Sequence, residues 1–228
     1  MPSVTPLLNG YSLTSDHGNP AFCSVVLVES GDERVLFDFG HVGRRRKLLT
    51  ALADRGLVPD DISKVVVSHG HWDHLQNADL FDKAQVLIHP DELRNLANPP
   101  STDFGTPRWA KAVLDDLDLH EVGEGDEVIP GIQVLELPGH TPGSIGLAVS
   151  TPEGTAVLAA DAVPTLAVLR SRRASGRPYD RARADASVER VGSMAQVVYP
   201  GHDRPIRLAP DGSFDYTGPA VPLEFRVP

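Results

Sequence analysis

Ser68-His69-Gly70-His71-Trp72-Asp73-His74 places three histidines and an aspartate within six positions. Imidazole nitrogens and carboxylate oxygens are the ligands that borderline-hard divalent cations take from proteins. The stretch follows Val65-Val66-Val67, a β-branched run that reads as a buried strand. The histidines therefore stand where a strand stops and a loop begins, the place where open α/β sheets build their sites. His69 and His71 are two apart, so extended backbone points both rings to one face. Asp73 and His74 come after the chain has begun to turn and address a neighbouring point. Four metal-capable side chains aimed at two adjacent points predict a two-metal site. Two metals need more ligands, and three further residues each follow a strand signal: His140 in Leu137-Pro138-Gly139-His140-Thr141-Pro142-Gly143, Asp161 in Leu158-Ala159-Ala160-Asp161, and His202 in Tyr199-Pro200-Gly201-His202.

The elements that must carry these residues are β-rich in both halves. A short strand is expected around Tyr11–Thr14, then a turn cluster over 16–20, then a hairpin of Phe22–Val28 and Arg34–Phe39 that ends in Asp38. Arg44-Arg45-Arg46-Lys47 opens a helical pattern that stops near Gly56, and this basic run is read as a solvated helix start. A short helix follows the histidine motif. Gln85–His89 is a strand, and His89-Pro90 leads into a helix over Asp91–Ala97, with His89 satisfied locally. Residues 98–119 read as a surface insertion able to cover a site, helical from Pro107 to Leu119. Phe104 and Trp109 either wall a pocket there or pack the insertion onto the core. Strand signals return at Glu127–Ile129, Gln133–Leu137, Ser144–Val149 and Ala156–Ala160. Residues 164–194 read as a helical, arginine-rich segment, Val197–Tyr199 as the last strand, and the chain from Pro210 as a wrapping tail.

Composition narrows the partners. The 228 residues fit one domain. A formal net charge of -10 disfavours a chain that binds nucleic acid or anionic membranes over its whole surface. The N-terminus has neither a basic n-region nor an apolar h-region, and no apolar run reaches the ~20 residues of a membrane span, so a cytoplasmic protein is expected. Cys23 is the single cysteine; it sits in an apolar run and reads as a buried small hydrophobe.

The order H-x-H-x-D-H, a distant His, an Asp and a last His resembles the metallo-β-lactamase-fold hydrolase superfamily over Phe22 to Arg207, in its glyoxalase II-like and lactonase-like branch. The resemblance implies an α/β fold, a four-layer αβ/βα sandwich with two mixed β-sheets and the site at one edge. Carried over by position, it gives His69, His71 and His140 to one metal and Asp73, His74 and His202 to the other. Asp161 would bridge the two, and Asp38 would steady the histidine loop. Branches that place a cysteine in the second metal site are set aside, because Cys23 lies far from the motifs in the chain. Ala162-Val163-Pro164 stands where acyl-homoserine lactonases carry a tyrosine, and only a short tail follows His202 where glyoxalase II has a helical region.

The implied cofactor is a pair of divalent ions, Zn²⁺ by ligand type, with iron or manganese also fitting. The implied reaction is attack by a hydroxide held between the ions on the carbonyl of an ester, lactone, thioester or amide. Asp73 would accept and pass on the proton. Trp72 either lines the pocket or packs beneath the loop. Two other chemistries share the scaffold: a mononuclear iron persulfide dioxygenase and a phosphodiesterase, the latter disfavoured by the acidic charge. The arginines between Arg170 and Arg190 read as a solvated face, with an anchor for an acidic substrate as the alternative.

Overall fold

The computed structural model describes residues 1–14, 16–18, 20–218, 220 and 223–224. Asn19 of the expected turn cluster and most of the extreme tail lie outside the described residues. Two mixed sheets form the centre. The first runs β1 (Ser3–Leu8), β2 (Val25–Ser30), β3 (Glu33–Phe37), β4 (Lys64–Val66), β5 (Gln85–Ile88) and β6 (Asp118–Glu121), in that spatial order. Its first two pairings are antiparallel and its last three parallel. The second runs from β7 (Glu127–Ile129) through β8 (Ile132–Glu136), β9 (Ile145–Thr151), β10 (Gly154–Ala160), β11 (Val197–Pro200) and β12 (Ile206–Leu208) to β13 (Phe214–Tyr216). Only β10 and β11 are parallel in it.

Side-chain alternation along the strands separates the layers. Val26 and Val28 of β2 face Val134, Leu147 and Leu158 of the other sheet and form the core between the sheets. Val25 and Leu27 face the opposite way, onto Leu48 and Leu52 of α1 (Arg45–Ala53), Leu75 of α2 (Trp72–Leu75), Leu96 of α3 (Pro90–Ala97) and Leu114 of α4 (Ala110–Leu114). On the far side, Val157 and Val198 pack under Leu169 of α5 (Leu166–Ser171) and Val188 and Val191 of α6 (Arg181–Met194). Helix, sheet, sheet and helix stack as the four expected layers. Among the described residues no helix is long and apolar enough to cross a membrane.

Several elements differ from the sequence expectation. The N-terminal strand is β1, and Tyr11 keeps only an isolated bridge to Phe22. Pro6 is compatible with β1 because this is an edge strand, where a missing donor costs little. Between Pro107 and Leu119 only α4 is helical, and the chain then pairs as β6 on the free edge of β5. Long-range pairing overrides the helical pattern there. The segment 164–194 is two helices, α5 and α6. Arg172 takes a left-handed conformation (φ 54°) that ends the first, and Gly176 and Pro178 stand in the loop before the second. Two further strands, β12 and β13, follow β11 and extend the sheet into the expected tail, with Pro210-Asp211-Gly212 in the turn between them.

Candidate metal centre

β4 ends at Val66, and Ser68, His69 and Gly70 follow it as buried chain. His71 then starts α2, whose single turn carries Asp73 and His74. Strand ends from both sheets meet this loop, as Ile145 N–H donates to Ser68 O at 2.9 Å. The ligating atoms of His69, His71, His140 and Asp161 all lie within 4.8 Å of one another. Those of His74, Asp161 and His202 form a second such group, so Asp161 belongs to both. Asp161 Oδ2 is 3.1 Å from His202 Nε2 and 3.4 Å from His140 Nε2, while Oδ1 is 3.6 Å from His74 Nε2. Asp73 Oδ2 stands 3.6 Å from His202 Nε2 and 3.8 Å from His74 Nε2. All seven sequence-selected residues are therefore brought together.

The donor set fits cations. His69 Nε2, His74 Nε2, Asp73 Oδ2 and Asp161 Oδ1 are buried without a hydrogen-bond partner, and all four belong to this centre. Unpaired buried polar atoms are costly, and a shared cation is the partner that relieves several acceptors at once. His140 Nε2 and His71 Nδ1 also confront each other at 3.1 Å.

The surroundings aim each ring. Asp38, at φ 66°, accepts the Ser68 N–H and hydroxyl and the His74 Nδ1–H, each at 2.8 Å, which leaves His74 Nε2 for the centre. A left-handed aspartate held by three bonds is strain concentrated at a site. His202 Nδ1 donates to Phe22 O at 3.2 Å. Gly201 is required by close approach: a Cβ there would lie 2.0 Å from Asp161 Oδ1.

Electrostatics divide the histidines. Burial pushes His140 down to about 3, with His71 adding to it, and holds His69 well below its ordinary range. Burial also opposes a charge on His74 and His202, but the surrounding acids win. Asp73, Asp38 and Asp161 raise His74, and Asp161 with Asp73 raises His202 to about 8. His202 and His74 in turn hold Asp161 ionised against its own burial. The site thus combines neutral imidazoles on one side with acid-compensated imidazoles on the other.

Two supports escaped the sequence reading. Asp103, in the 98–119 insertion, places Oδ1 3.2 Å from His71 Nε2 and is itself held by the Gly105 and Thr106 N–H groups and the Thr106 hydroxyl. Burial works against its charge, yet these bonds keep its carboxyl well below the usual range. Glu92 of α3 is fully buried and ties together the two ligand-bearing loops. Its Oε1 accepts Gly70 N–H at 2.8 Å, and its Oε2 accepts the Thr141 hydroxyl at 2.6 Å and Gly143 N–H at 3.1 Å. Neither acid stands in a recognisable motif.

Cys23 corrects an inference drawn from chain distance. Far away in sequence, it lies beneath the motif, its thiol 3.0 Å from Asp73 O and near His74. Burial pushes that thiol up to about 12, so it packs and donates as S–H. Arg44 is also more than a solvated helix start, because its guanidinium bonds Asn9 O and Cys23 O. His89 behaves as expected: it caps α3 through Asp91 N–H and meets Glu136 at 3.1 Å.

Two cavities flank the centre. One of about 410 Å³ is lined by Phe22, His41, Trp72, Asp73, Asp161 and His202, so the Trp72 ring lines it and is half exposed. The other, about 740 Å³, contains His71, His140 and Phe104. Trp109 belongs to neither and sits with Val42, Leu75 and Val113. A cavity of about 790 Å³ near β1 and Arg44 holds none of the ligand histidines. Convergent buried ligand atoms, more than volume, mark the functional centre.

Comparison with known proteins agrees with this geometry. The chain is 34% identical over 221 residues to Metallo-beta-lactamase domain-containing protein 1 of Xenopus laevis, covering 92% of this chain and 83% of that one. It is 33% identical to the human protein of that name, of which it spans 64%. AiiA of B. thuringiensis, solved with N-decanoyl-L-homoserine at its active site, shares the fold with a TM-score of 0.71 at 20% identity, over 89% of this chain and 92% of that one. The metallo-beta-lactamase superfamily model matches residues 18–202 and thus spans the whole histidine-aspartate cluster. The chain belongs to the metallo-beta-lactamase superfamily and is one of its metal-dependent hydrolases.

Proposed function

We propose that the chain is a dinuclear hydrolase that opens an ester, lactone, thioester or amide of a small molecule. The observation that carries this reading is Asp161, whose carboxylate is common to two clusters of ligand atoms that include the unpaired His69 Nε2 and His74 Nε2. His69, His71 and His140 would hold one divalent ion, and Asp73, His74 and His202 the other, with Asp161 bridging. Zinc suits this nitrogen and oxygen set. When bound, such ions lower the pKa of water toward neutrality and polarise a carbonyl oxygen.

The protein's own residues do the rest. Asp38 and Asp103 fix which nitrogen of His74 and His71 faces the centre. Asp73 lines the cavity with an oxygen that no neighbour satisfies, which supports it as the group that would take a proton from the attacking water. Trp72, Phe22 and His41 wall that cavity. Relatives that carry the name N-acyl homoserine lactonase, such as that of Bacillus cereus at 27% identity, put lactones first among the candidate bonds.

A screen of lactones, thioesters and β-lactams against wild type and His71→Ala tests the reading. Hydrolysis and bound metal should be lost together in the variant. Activity that persists after the metal has gone would refute it.

A further inference from the structure

The arginines of 170–190 are mostly committed to structure. Arg170 lies over the Phe214 ring, and Arg172 bonds Gly192 O at 3.0 Å. Arg173 pairs with Asp185 at 2.9 Å, and Arg190 bonds Glu124 and Glu136 O. Arg181 bonds Ala174 O and, at 2.5 Å, Gly176 O. Arg177 has no hydrogen-bond or ion-pair partner among the described residues, and it lines the cavity of about 740 Å³ that also contains His71 and His140.

That placement is built. The loop carrying Arg177 is braced from below by Arg181 and by Asp185, which accepts Ala174 N–H at 2.8 Å. It is pinned to the metal centre by Tyr179 N–H donating to His140 O at 3.1 Å and Asp180 N–H donating to Gly139 O at 3.0 Å. Phe104, 92% exposed, and Tyr179, 60% exposed, line the same groove. Two large exposed rings beside a catalytic centre mark a ligand surface. The groove's acid, Asp103, is already taken by His71, Gly105 and Thr106. The cation in this groove therefore stands without a counterion, in a chain whose net charge is -10.

We propose that this groove receives a substrate arm ending in an anionic group, a carboxylate or a phosphate, which Arg177 binds while Phe104 and Tyr179 flank the stem. The proposal rests on the hydrolase reading and adds the substrate class. A guanidinium offers a planar pair of donors that matches either anion. The substrate is then an acidic ester, lactone, thioester or amide, with the scissile carbonyl at the histidines and the charge at Arg177.

Calorimetric titration of the metal-loaded protein with α,ω-dicarboxylates from glutarate to suberate, against the matching monocarboxylates, tests this without a known substrate. Metal content is measured on the same samples. At the chain length that spans the groove, the diacid should bind about tenfold or more tighter than its monoacid. Arg177→Gln should erase that preference, and Arg177→Lys should keep part of it. The matching ω-phosphonocarboxylates show which anion is preferred, and either preference supports the assignment. Equal binding of diacid and monoacid at every length, or a preference that survives Arg177→Gln, overturns it while leaving the hydrolase reading in place. A protein that takes up no metal overturns the hydrolase reading itself, and the groove assignment with it.

Discussion

Asp103 Oδ1 lies 3.2 Å from His71 Nε2, and the other ring nitrogen of His71 thereby faces His140 at 3.1 Å. One carboxylate from the insertion thus selects which histidine nitrogen the centre receives. Gly105 leaves room for this contact, since a Cβ there would lie 2.7 Å from the His71 ring. Segment 98–119 thus braces a ring of the candidate centre from outside.

Removing that support should weaken metal binding without unfolding the chain. Partners behind a metal ligand are worth roughly 10–100-fold in affinity. Asp103→Ala is expected to lose affinity in that range in a chelator competition, with an unchanged circular dichroism spectrum. Affinity equal to wild type would show the Asp103 contact to be incidental.

Glu92 joins the loop of His69 and His71 to the loop of His140. Glu92→Ala strands two buried N–H groups and leaves the Thr141 hydroxyl to Ser144 Oγ alone, at a cost of about 3 kcal/mol. Its urea midpoint should fall accordingly, and its metal affinity with it. Glu92→Gln turns a donor toward either Gly70 or the Thr141–Gly143 side and should fall between alanine and wild type. A midpoint matching wild type in both variants would contradict the clasp.

The acids around His202 set a pH dependence for the metal-free protein. Burial opposes the charge, but Asp161 and Asp73 raise the group to about 8 from an ordinary 6.5. A raised folded value stabilises the fold fully below about pH 6.5, and that contribution is lost as pH climbs through about 8. In the presence of chelator, unfolding free energy should drop across this window, with the raised His74 acting in the same direction. Metal affinity should rise over the same window, because the His202 proton must leave before the nitrogen can ligate. Chelated protein that grows more stable from pH 6.5 to 8 would contradict the placement of Asp161.

What could be read from the sequence follows from how local each signal is. His69, His71, Asp73 and His74 are legible because strand geometry and one helical turn relate them directly. His140, Asp161 and His202 are legible because each follows an apolar strand, His140 and His202 with a glycine before them. Asp103 and Glu92 were not legible: they reach their partners across 32 and 22 or more residues, through contacts only the folded chain creates. β6 was hidden for a related reason, since its pairing with β5 outweighs a helical local pattern. Cys23 shows the opposite failure, a residue distant in the chain that folding sets beneath Asp73.

In the proposed centre seven residues hold two ions, with Asp161 between them. Metal content per chain, measured by mass spectrometry on dialysed wild type beside Asp161→Ala, separates this arrangement from a one-ion centre. Two divalent ions per wild-type chain, zinc foremost, and loss of at least one in the variant are predicted. A single ion per wild-type chain would contradict the claim, and a single iron accompanied by oxygen uptake would replace the hydrolase with the dioxygenase.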